Sequence, residues 1–161
     1  MSQELNFRQI PFGSADYEQA CRLRHEVLRA PIGLNLFAED LSPERQQEHF
    51  GSFDPAGQIV ACLVAVRLSP EQAKLRQMAV HPARQRQGHG QRILRAVEQH
   101  LAASRIRRIT LHARTTAAPF YAALGYQSVG EEFTEVGIPH VVMEKALSLS
   151  GESDPSFPSG A

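Results

Sequence analysis

The chain has 161 residues, 42% of them hydrophobic, which is enough for one sizeable core and fits one domain better than two. Lys plus Arg equal Asp plus Glu at 17 each, so the overall charge favours neither nucleic acid nor an anionic membrane. The start lacks an apolar signal core, and the longest apolar run, Ile59–Val66, is too short to cross a bilayer. The separated cysteines Cys21 and Cys62 are predicted to be reduced, buried thiols. We therefore expect a cytoplasmic protein without a membrane partner.

The first residues predict a strand followed by a helix. Asn6–Pro11 alternates as an opening strand does, and Ser14 is a candidate N-cap. The helix is predicted to run from Ala15 to Leu28 and to be closed by Pro31.

An irregular stretch and a hairpin complete the first half. Residues 31–50 are interrupted by Pro and Gly, with Ser42 as the cap of a short helix. His49–Phe53 and Ile59–Leu68 predict two strands, and the turn residues Asp54–Gly57 join them.

The second half predicts four more strands and two helices. The strands are Lys74–Val80, Arg108–His112, Tyr126–Phe133 and His140–Lys145. Apolar residues at helical spacing predict a long helix over Gly88–Ser104. A second, short helix is predicted, with Thr115 or Thr116 as its cap, Pro119 in its first turn and Gly125 just past its end.

This order of elements predicts an α/β (α+β) fold with a mixed, mostly antiparallel sheet. We expect six or seven strands flanked by about four helices. Residues 1–147 form the predicted domain. Residues 148–161 are rich in Ser, Gly and Pro, so they are predicted to be a disordered tail.

The most informative segment is Arg84–Gly90, RQRQGHG, between a strand and the long helix. Glycines there let backbone N–H groups turn toward an anion, and the helix N-terminus adds partial positive charge. The segment thus predicts a pyrophosphate site, with a plain structural turn as the alternative. It lacks the Gly-Lys-Ser/Thr ending of a Walker A loop and is not a full dinucleotide fingerprint.

Three segments resemble the GCN5-related N-acetyltransferases (GNAT). Gln85–Gly90 matches the Gln/Arg-x-x-Gly-x-Gly/Ala signature of that family, and Met78–Pro82 is similar to the strand that precedes it. Pro119–Tyr126, PFYAALGY, resembles the family's Phe-Tyr-x-x-Leu-Gly-Phe helix. Glu131–Met143, with its Gly-Ile-Pro-His motif, is similar to the end of an uncharacterised bacterial branch.

The resemblance implies a GNAT-like sheet and an N-acetyltransferase that moves an acetyl group from acetyl-CoA to a primary amine by direct attack. It implies that main-chain groups of the strand and the turn bind coenzyme A, together with one residue of the short helix. These residues are Met78, Ala79, Val80, Gln85, Arg86, Gln87, Gly88, His89, Gly90, Gln91 and Phe120.

Tyr121 is the candidate catalytic residue. By its neighbours alone, this tyrosine would be a core residue with its hydroxyl at the surface. The resemblance implies instead that it is a general acid, which protonates the departing coenzyme A thiolate.

The general base is left open. The strand before the turn, which reads Leu75–Met78, offers no carboxylate where many relatives have a glutamate. The candidates are His112, Glu39, Asp40 and His140, each with a structural role as its alternative. The sequence also departs from the family pattern at two positions, so that contacts of Arg114 and of the His89 side chain with the cofactor are open.

The expected acceptor is a small-molecule amine or a protein lysine, which the fold does not fix. The functional alternative is a catalytically silent acyl-CoA-binding sensor or regulatory module. Nucleic-acid binding through the arginines of 84–108 is disfavoured by balanced charge and the lack of interleaved aromatic residues. No metal site is expected because the seven histidines are scattered, and a homodimer is plausible.

Overall fold

The computed structural model describes residues 4–148, which form the mixed α+β fold that the sequence predicts. Seven strands belong to one sheet in the order β1-β2-β3-β4-β5-β7-β6. They are β1 (Asn6–Ile10), β2 (Glu48–Phe53), β3 (Ile59–Ser69), β4 (Gln72–Val80), β5 (Arg108–Arg114), β6 (Gln127–Glu135) and β7 (Ile138–Ala146). Of the predicted tail, 149–161 lie outside the described residues.

Three α-helices, rather than about four, occur within 4–148: α1 (Ala15–Arg24), α2 (His89–Ala103) and α3 (Ala118–Ala123). The remaining helical residues are in short turns. Two compact units divide the described chain. The first contains the residues up to Val66 and Leu75–Val97, and the second contains Arg67–Lys74 and the residues from Glu98 onward.

Helix α1 begins as predicted and continues differently. The Ser14 hydroxyl accepts the Tyr17 N–H at 3.2 Å, so it satisfies one of the free amides of the first turn. Past Arg24 the chain continues as a π-helical turn, His25–Arg29, and a 3-10 turn, Ala30–Ile32. Pro31 lies inside this last turn and does not close the helix. The helical segment ends at Gly33, whose φ of 76° is left-handed and favours glycine.

The stretch after Gly33 is irregular, as predicted. It contains the 3-10 turns Leu36–Ala38 and Ser42–Gln46. Ser42 is the first residue of the second turn, and its side chain does not cap it. Instead, Asp40 Oδ1 accepts both the N–H and the hydroxyl of Ser42, at 3.0 and 2.7 Å. Ser42, which was predicted to be the cap, is therefore itself held by Asp40.

In the first unit, β2 pairs antiparallel with both β1 and β3. Asp54 organises the turn between β2 and β3, because its Oδ1 accepts the N–H groups of Ala56 and Gln58. Val60–Ala65 of β3 are all buried, so this strand is covered on both faces. Cys21 and Cys62 are free and buried, and burial raises the pKa of the Cys62 thiol to about 12.

Helix α2 confirms the periodicity argument. Its four apolar positions are at most 1% exposed: Ile93, Leu94, Val97 and Leu101. Gln91 and Arg95 lie on the exposed side of the same helix. The hydrophobic stripe seen in the sequence is therefore the buried face.

In the second unit, β7 pairs antiparallel with β5 and β6. Helix α3 has Ala117 as its N-cap without a side-chain hydrogen bond, so neither Thr115 nor Thr116 caps it. The main-chain N–H of Thr115 donates to the Pro139 carbonyl. Gly125 follows the helix with a φ of 98°, as expected for a glycine at that end.

Candidate active site

The strand that precedes the glycine turn contains a local distortion. Gln77, in the middle of β4, has a φ of 57°, a left-handed conformation that costs a residue with a Cβ about 1 to 2 kcal/mol. Its Oε1 accepts a hydrogen bond from Arg24 Nε at 2.5 Å. The three residues implied to bind pantetheine follow directly, with Ala79 buried and Met78 and Val80 half-buried. The distortion therefore lies directly before the segment Met78–Val80.

Arg24, the hydrogen-bond partner of Gln77, also forms a buried ion pair with Glu44. Arg24 is fully buried and donates to Glu44 Oε1 at 2.8 Å and Oε2 at 2.6 Å. Glu44 also accepts the Tyr17 hydroxyl at 2.7 Å and Arg76 Nη1 at 3.1 Å. Burial raises the pKa of Glu44, but hydrogen bonds and charge from Arg24, then Tyr17 and Arg76, outweigh it and lower that pKa to about 2. Glu44 is thus ionised at neutral pH.

Sequence reasoning missed this cluster, although one signal was present. Tyr17, Ala20 and Cys21 form the buried stripe of α1, and Arg24 continues it at the next helical position. An arginine in an apolar stripe needs a buried acid, since an unpaired charge is rarely buried. The sequence does not say which acid this is.

The glycine turn leads from β4 into α2. His81 Nδ1 accepts the Ala83 N–H at 3.1 Å, and Gln85 Nε2 donates to the Val80 carbonyl at 3.2 Å. Arg86 and Gly88 both have left-handed backbones, with φ of 64° and 83°. These two reversals turn the chain sharply before the helix begins at His89.

The first turn of α2 presents donors. The Arg92 N–H donates to the Gly88 carbonyl at 3.1 Å and is the first intrahelical bond of this helix. The amides before it, from His89 to Gln91, therefore have no intrahelical acceptor, as at any helix N-terminus. Together with the helix dipole they favour an anion.

The His89 side chain adds an unusual observation. Arg92 Nη1 lies 3.2 Å from His89 Nδ1, and a guanidinium can only donate, so Nδ1 is the acceptor and Nε2 carries the proton. Desolvation, then the charges of Arg84 and Arg92, lower the pKa of His89, which keeps the ring neutral. His89 is 6% exposed, and its buried Nε2 has no hydrogen-bond partner within residues 4–148. A buried donor without an acceptor fits a ligand that brings acceptor oxygens, as a phosphate does.

The second unit carries the short helix α3 with Phe120 and Tyr121. Phe120 is 37% exposed, and Tyr121 is half-buried. The Tyr121 ring contacts Phe120 at 5.1 Å and Tyr126 at 5.8 Å, both edge to face. Desolvation alone raises the pKa of the Tyr121 phenol to about 12, so the hydroxyl is protonated throughout the physiological range.

Tyr126 differs from Tyr121 in the same unit. Its hydroxyl donates to Glu98 Oε2 at 2.8 Å, and Lys145 Nζ lies 3.1 Å from Glu98 Oε1. Burial, then Glu98, raises the pKa of Tyr126. The Tyr126 hydroxyl thus has a structural hydrogen-bond partner.

A comparison with known families decides the family. The family model described as an acetyltransferase (GNAT) domain matches residues 18–147. The chain is a GNAT acetyltransferase family member. This agrees with the family predicted from the turn and from the Phe-Tyr helix.

Known proteins similar to this GNAT chain include the uncharacterised protein YyaT of Bacillus subtilis, 37% identical over 82 residues. That match covers 51% of this chain and 55% of YyaT, so it spans about half of this relative's length. A candidate N-acetyltransferase from Lactobacillus plantarum superposes with a TM-score of 0.81 at 21% identity, covering 89% of this chain and 99% of that one. An aminoglycoside 6'-N-acetyltransferase complexed with coenzyme A gives 0.70 at 16%, covering 88% and 96%.

The four predicted base candidates of this GNAT chain have different surroundings. Glu39 Oε2 lies 2.7 Å from Arg29 Nε, and Asp40 holds Ser42, so both acids have structural partners. His112 and His140 both approach Glu135, which the sequence analysis did not single out.

No helix within 4–148 is long and apolar enough to span a membrane.

Proposed function

We propose that this chain is an N-acetyltransferase, which transfers the acetyl group of acetyl-CoA to a primary amine of a small molecule or a protein lysine. Its GNAT family membership supports acyl transfer. A structural relative complexed with coenzyme A supports that ligand. The amine attacks the thioester carbonyl directly, and Tyr121 protonates the sulphur that leaves.

The observation that carries the proposal is the donor set at the start of α2. Backbone amides without intrahelical acceptors, a glycine turn and the partnerless His89 Nε2–H all suit a pyrophosphate. Main-chain groups of Met78, Ala79 and Val80 on β4 bind the pantetheine arm in this proposal. Gln85–Gln91 hold the phosphates, and Phe120 is assigned to the same ligand.

Two measurements test the function. Calorimetry with coenzyme A measures binding, and free thiol release from acetyl-CoA with a panel of amines measures transfer. Binding together with amine-dependent thiol release supports the proposal. Coenzyme A binding without thiol release from any amine would favour the silent acyl-CoA sensor. The lack of a carboxylate in Leu75–Met78 of β4 supports that alternative. No heat with coenzyme A at millimolar concentration would contradict both functions.

Gly88→Ala should weaken coenzyme A binding about tenfold or more, because the left-handed backbone resists a Cβ and the turn amides must shift. Gly57→Ala is a matched control, since Gly57 has the same φ of 83° in a turn far from these donors in sequence. Each substitution should lower the free energy of unfolding by about 1 to 2 kcal/mol. Calorimetry and thermal unfolding of both variants check this. If Gly88→Ala and Gly57→Ala bound coenzyme A with equal affinity, the turn would not hold the ligand.

His89→Leu should separate stability from binding. It removes a buried donor without a partner, so the free energy of unfolding of the ligand-free protein should rise by about 1 kcal/mol. Coenzyme A affinity should fall about tenfold, because a charged acceptor loses its donor. The two changes are measured by denaturant unfolding and calorimetry. Unchanged affinity would assign the His89 side chain a purely structural place.

A further inference from the structure

Two histidine rings flank one carboxylate in the second unit, and a phenylalanine ring contacts both histidines. Glu135, the last residue of β6, has its Oε1 3.0 Å from Nδ1 of His112 on β5. Its Oε2 lies 3.8 Å from Nε2 of His140 on β7. Phe133 contacts the His112 ring edge to face at 5.1 Å and stacks on His140 at 5.9 Å. We call these four residues the His–Glu cluster.

The contacts of the cluster fix the tautomer of His112. An ionised carboxylate only accepts, so Nδ1 of His112 carries the hydrogen and donates it to Glu135. The lone pair of the neutral ring is then on Nε2. A carboxylate that orients an imidazole in this way also stabilises the imidazolium that forms when Nε2 takes up a proton. The geometry is that of a base held by its positioning acid.

His140 is held differently. Its Nδ1 lies 2.8 Å from the Ile138 carbonyl, which only accepts, so Nδ1 donates there. The His140 side chain is 6% exposed, whereas 28% of the His112 side chain is exposed. Of the two rings, His112 is therefore the one that a substrate from solution can reach.

The charge around the cluster keeps Glu135 ionised. Burial raises the pKa of Glu135, but the hydrogen bond and charge of His112, then the charges of His140 and Lys74, lower it overall. The charged and titratable groups that act on Glu135 thus come from three strands: His112 on β5, His140 on β7 and Lys74 on β4. Arg114 follows His112 by two residues along β5.

We propose that His112, positioned by Glu135, is the general base that removes the proton of the attacking amine; this rests on the proposed acetyl transfer. The amine nitrogen forms a bond to the acetyl carbon, the C–S bond breaks, and its electron pair stays on sulphur. The amine proton passes to His112 Nε2, and sulphur takes the Tyr121 proton. His112 then returns its proton to water and Tyr121 regains one, so that the products are an amide and coenzyme A thiol.

The test is the pH dependence of kcat, measured by thiol release with one amine that the wild-type protein accepts. His112→Asn keeps a donor for Glu135 and removes the base, so kcat should fall about 100-fold or more and the acid limb that His112 contributes should disappear. Glu135→Gln should lower kcat by about 10-fold, because an uncharged amide does not stabilise the imidazolium that forms when His112 takes up the amine proton. The amine's own ionisation is common to all variants, so the differences between profiles belong to the enzyme.

His100→Asn, which changes a histidine of α2 outside the His–Glu cluster, is the matched control and should keep the wild-type profile. His140→Asn tests the other ring of the cluster. An unchanged limb in His112→Asn, or loss of the limb only in His140→Asn, would overturn the inference while acetyl transfer stands. Thiol release that no amine stimulates in the wild-type protein would overturn it together with the proposed function. Coenzyme A calorimetry on each variant shows whether binding is retained, which distinguishes a lost base from a lost fold.

Discussion

Replacing Arg24 by methionine is expected to lower the free energy of unfolding by about 3 to 5 kcal/mol. The substitution removes two hydrogen bonds of 2.8 and 2.6 Å to Glu44. That carboxylate is 3% exposed and keeps Tyr17 and Arg76 as its partners within residues 4–148. It also removes the Nε donor from Gln77, so the left-handed residue of β4 loses the hydrogen bond that offsets its cost. Denaturant unfolding followed by circular dichroism measures the change.

Arg108→Met is the matched control for this prediction. It makes the same chemical change in an ion pair with Glu144 at 3.3 Å, where the arginine side chain is 51% exposed. Water and salt screen such a pair, so its removal should change the free energy of unfolding by less than about 1 kcal/mol. Similar losses in the two variants would mean that burial of the Arg24 pair does not matter.

The buried Arg24–Glu44 pair also predicts that the free energy of unfolding depends on pH in the acid range. The pKa of Glu44 is depressed in the folded chain to about 2, so its contribution is fully present above its ordinary pKa and is lost as pH falls through about 2. Wild-type stability should therefore decrease between about pH 4.5 and 2 by an amount that Arg24→Met reduces. Unfolding curves at pH 7, 4 and 3 give the free energy of unfolding of both proteins. The same decrease with falling pH in the wild-type protein and in Arg24→Met would contradict this prediction.

The sequence predicted the elements whose signal is local. The long helix α2 was predictable because its four apolar residues repeat at helical spacing and all face the core. The cap at Ser14 and the glycine at 125 were found for a similar reason, since each acts on residues within one turn. The cap of α3 was predicted wrongly because the helix begins after Ala117, which has no side-chain acceptor, and not after either threonine.

Features that depend on distant partners were not predictable. Gln77 adopts a left-handed backbone that is unusual for a residue other than glycine, asparagine or aspartate, and its side-chain partner, the buried Arg24, is 53 residues away in sequence. Arg24 and Glu44 are 20 residues apart, and Glu44 reads in sequence as an ordinary first-turn acid. Glu135 was missed in the same way, since its two histidines come from other strands. The glycine turn before α2 was predictable because its glycines and the helix start are contiguous, and cofactor binding by this turn stays a prediction.

Tyr121→Phe is expected to lower kcat of acetyl transfer by about 100-fold or more and to change coenzyme A affinity by less than about twofold. The substitution removes one oxygen from a half-buried ring that keeps its edge contacts with Phe120 and Tyr126. Since burial raises the pKa of the Tyr121 phenol to about 12, its ionisation should not reduce activity between about pH 6 and 10. Thiol-release kinetics from pH 6 to 10, with calorimetry at pH 7, measure these effects.

Tyr126→Phe is the matched control and should lower stability without lowering turnover. It removes the same atom from a tyrosine in the same unit, whose hydroxyl donates a hydrogen bond to Glu98 at 2.8 Å. Its free energy of unfolding should fall by about 1 to 3 kcal/mol, since a buried carboxylate loses a donor. Its kcat should stay within about twofold of wild type. If Tyr121→Phe lost only stability while Tyr126→Phe lost turnover, the proton donor would be Tyr126, which lies past the end of α3, and not Tyr121.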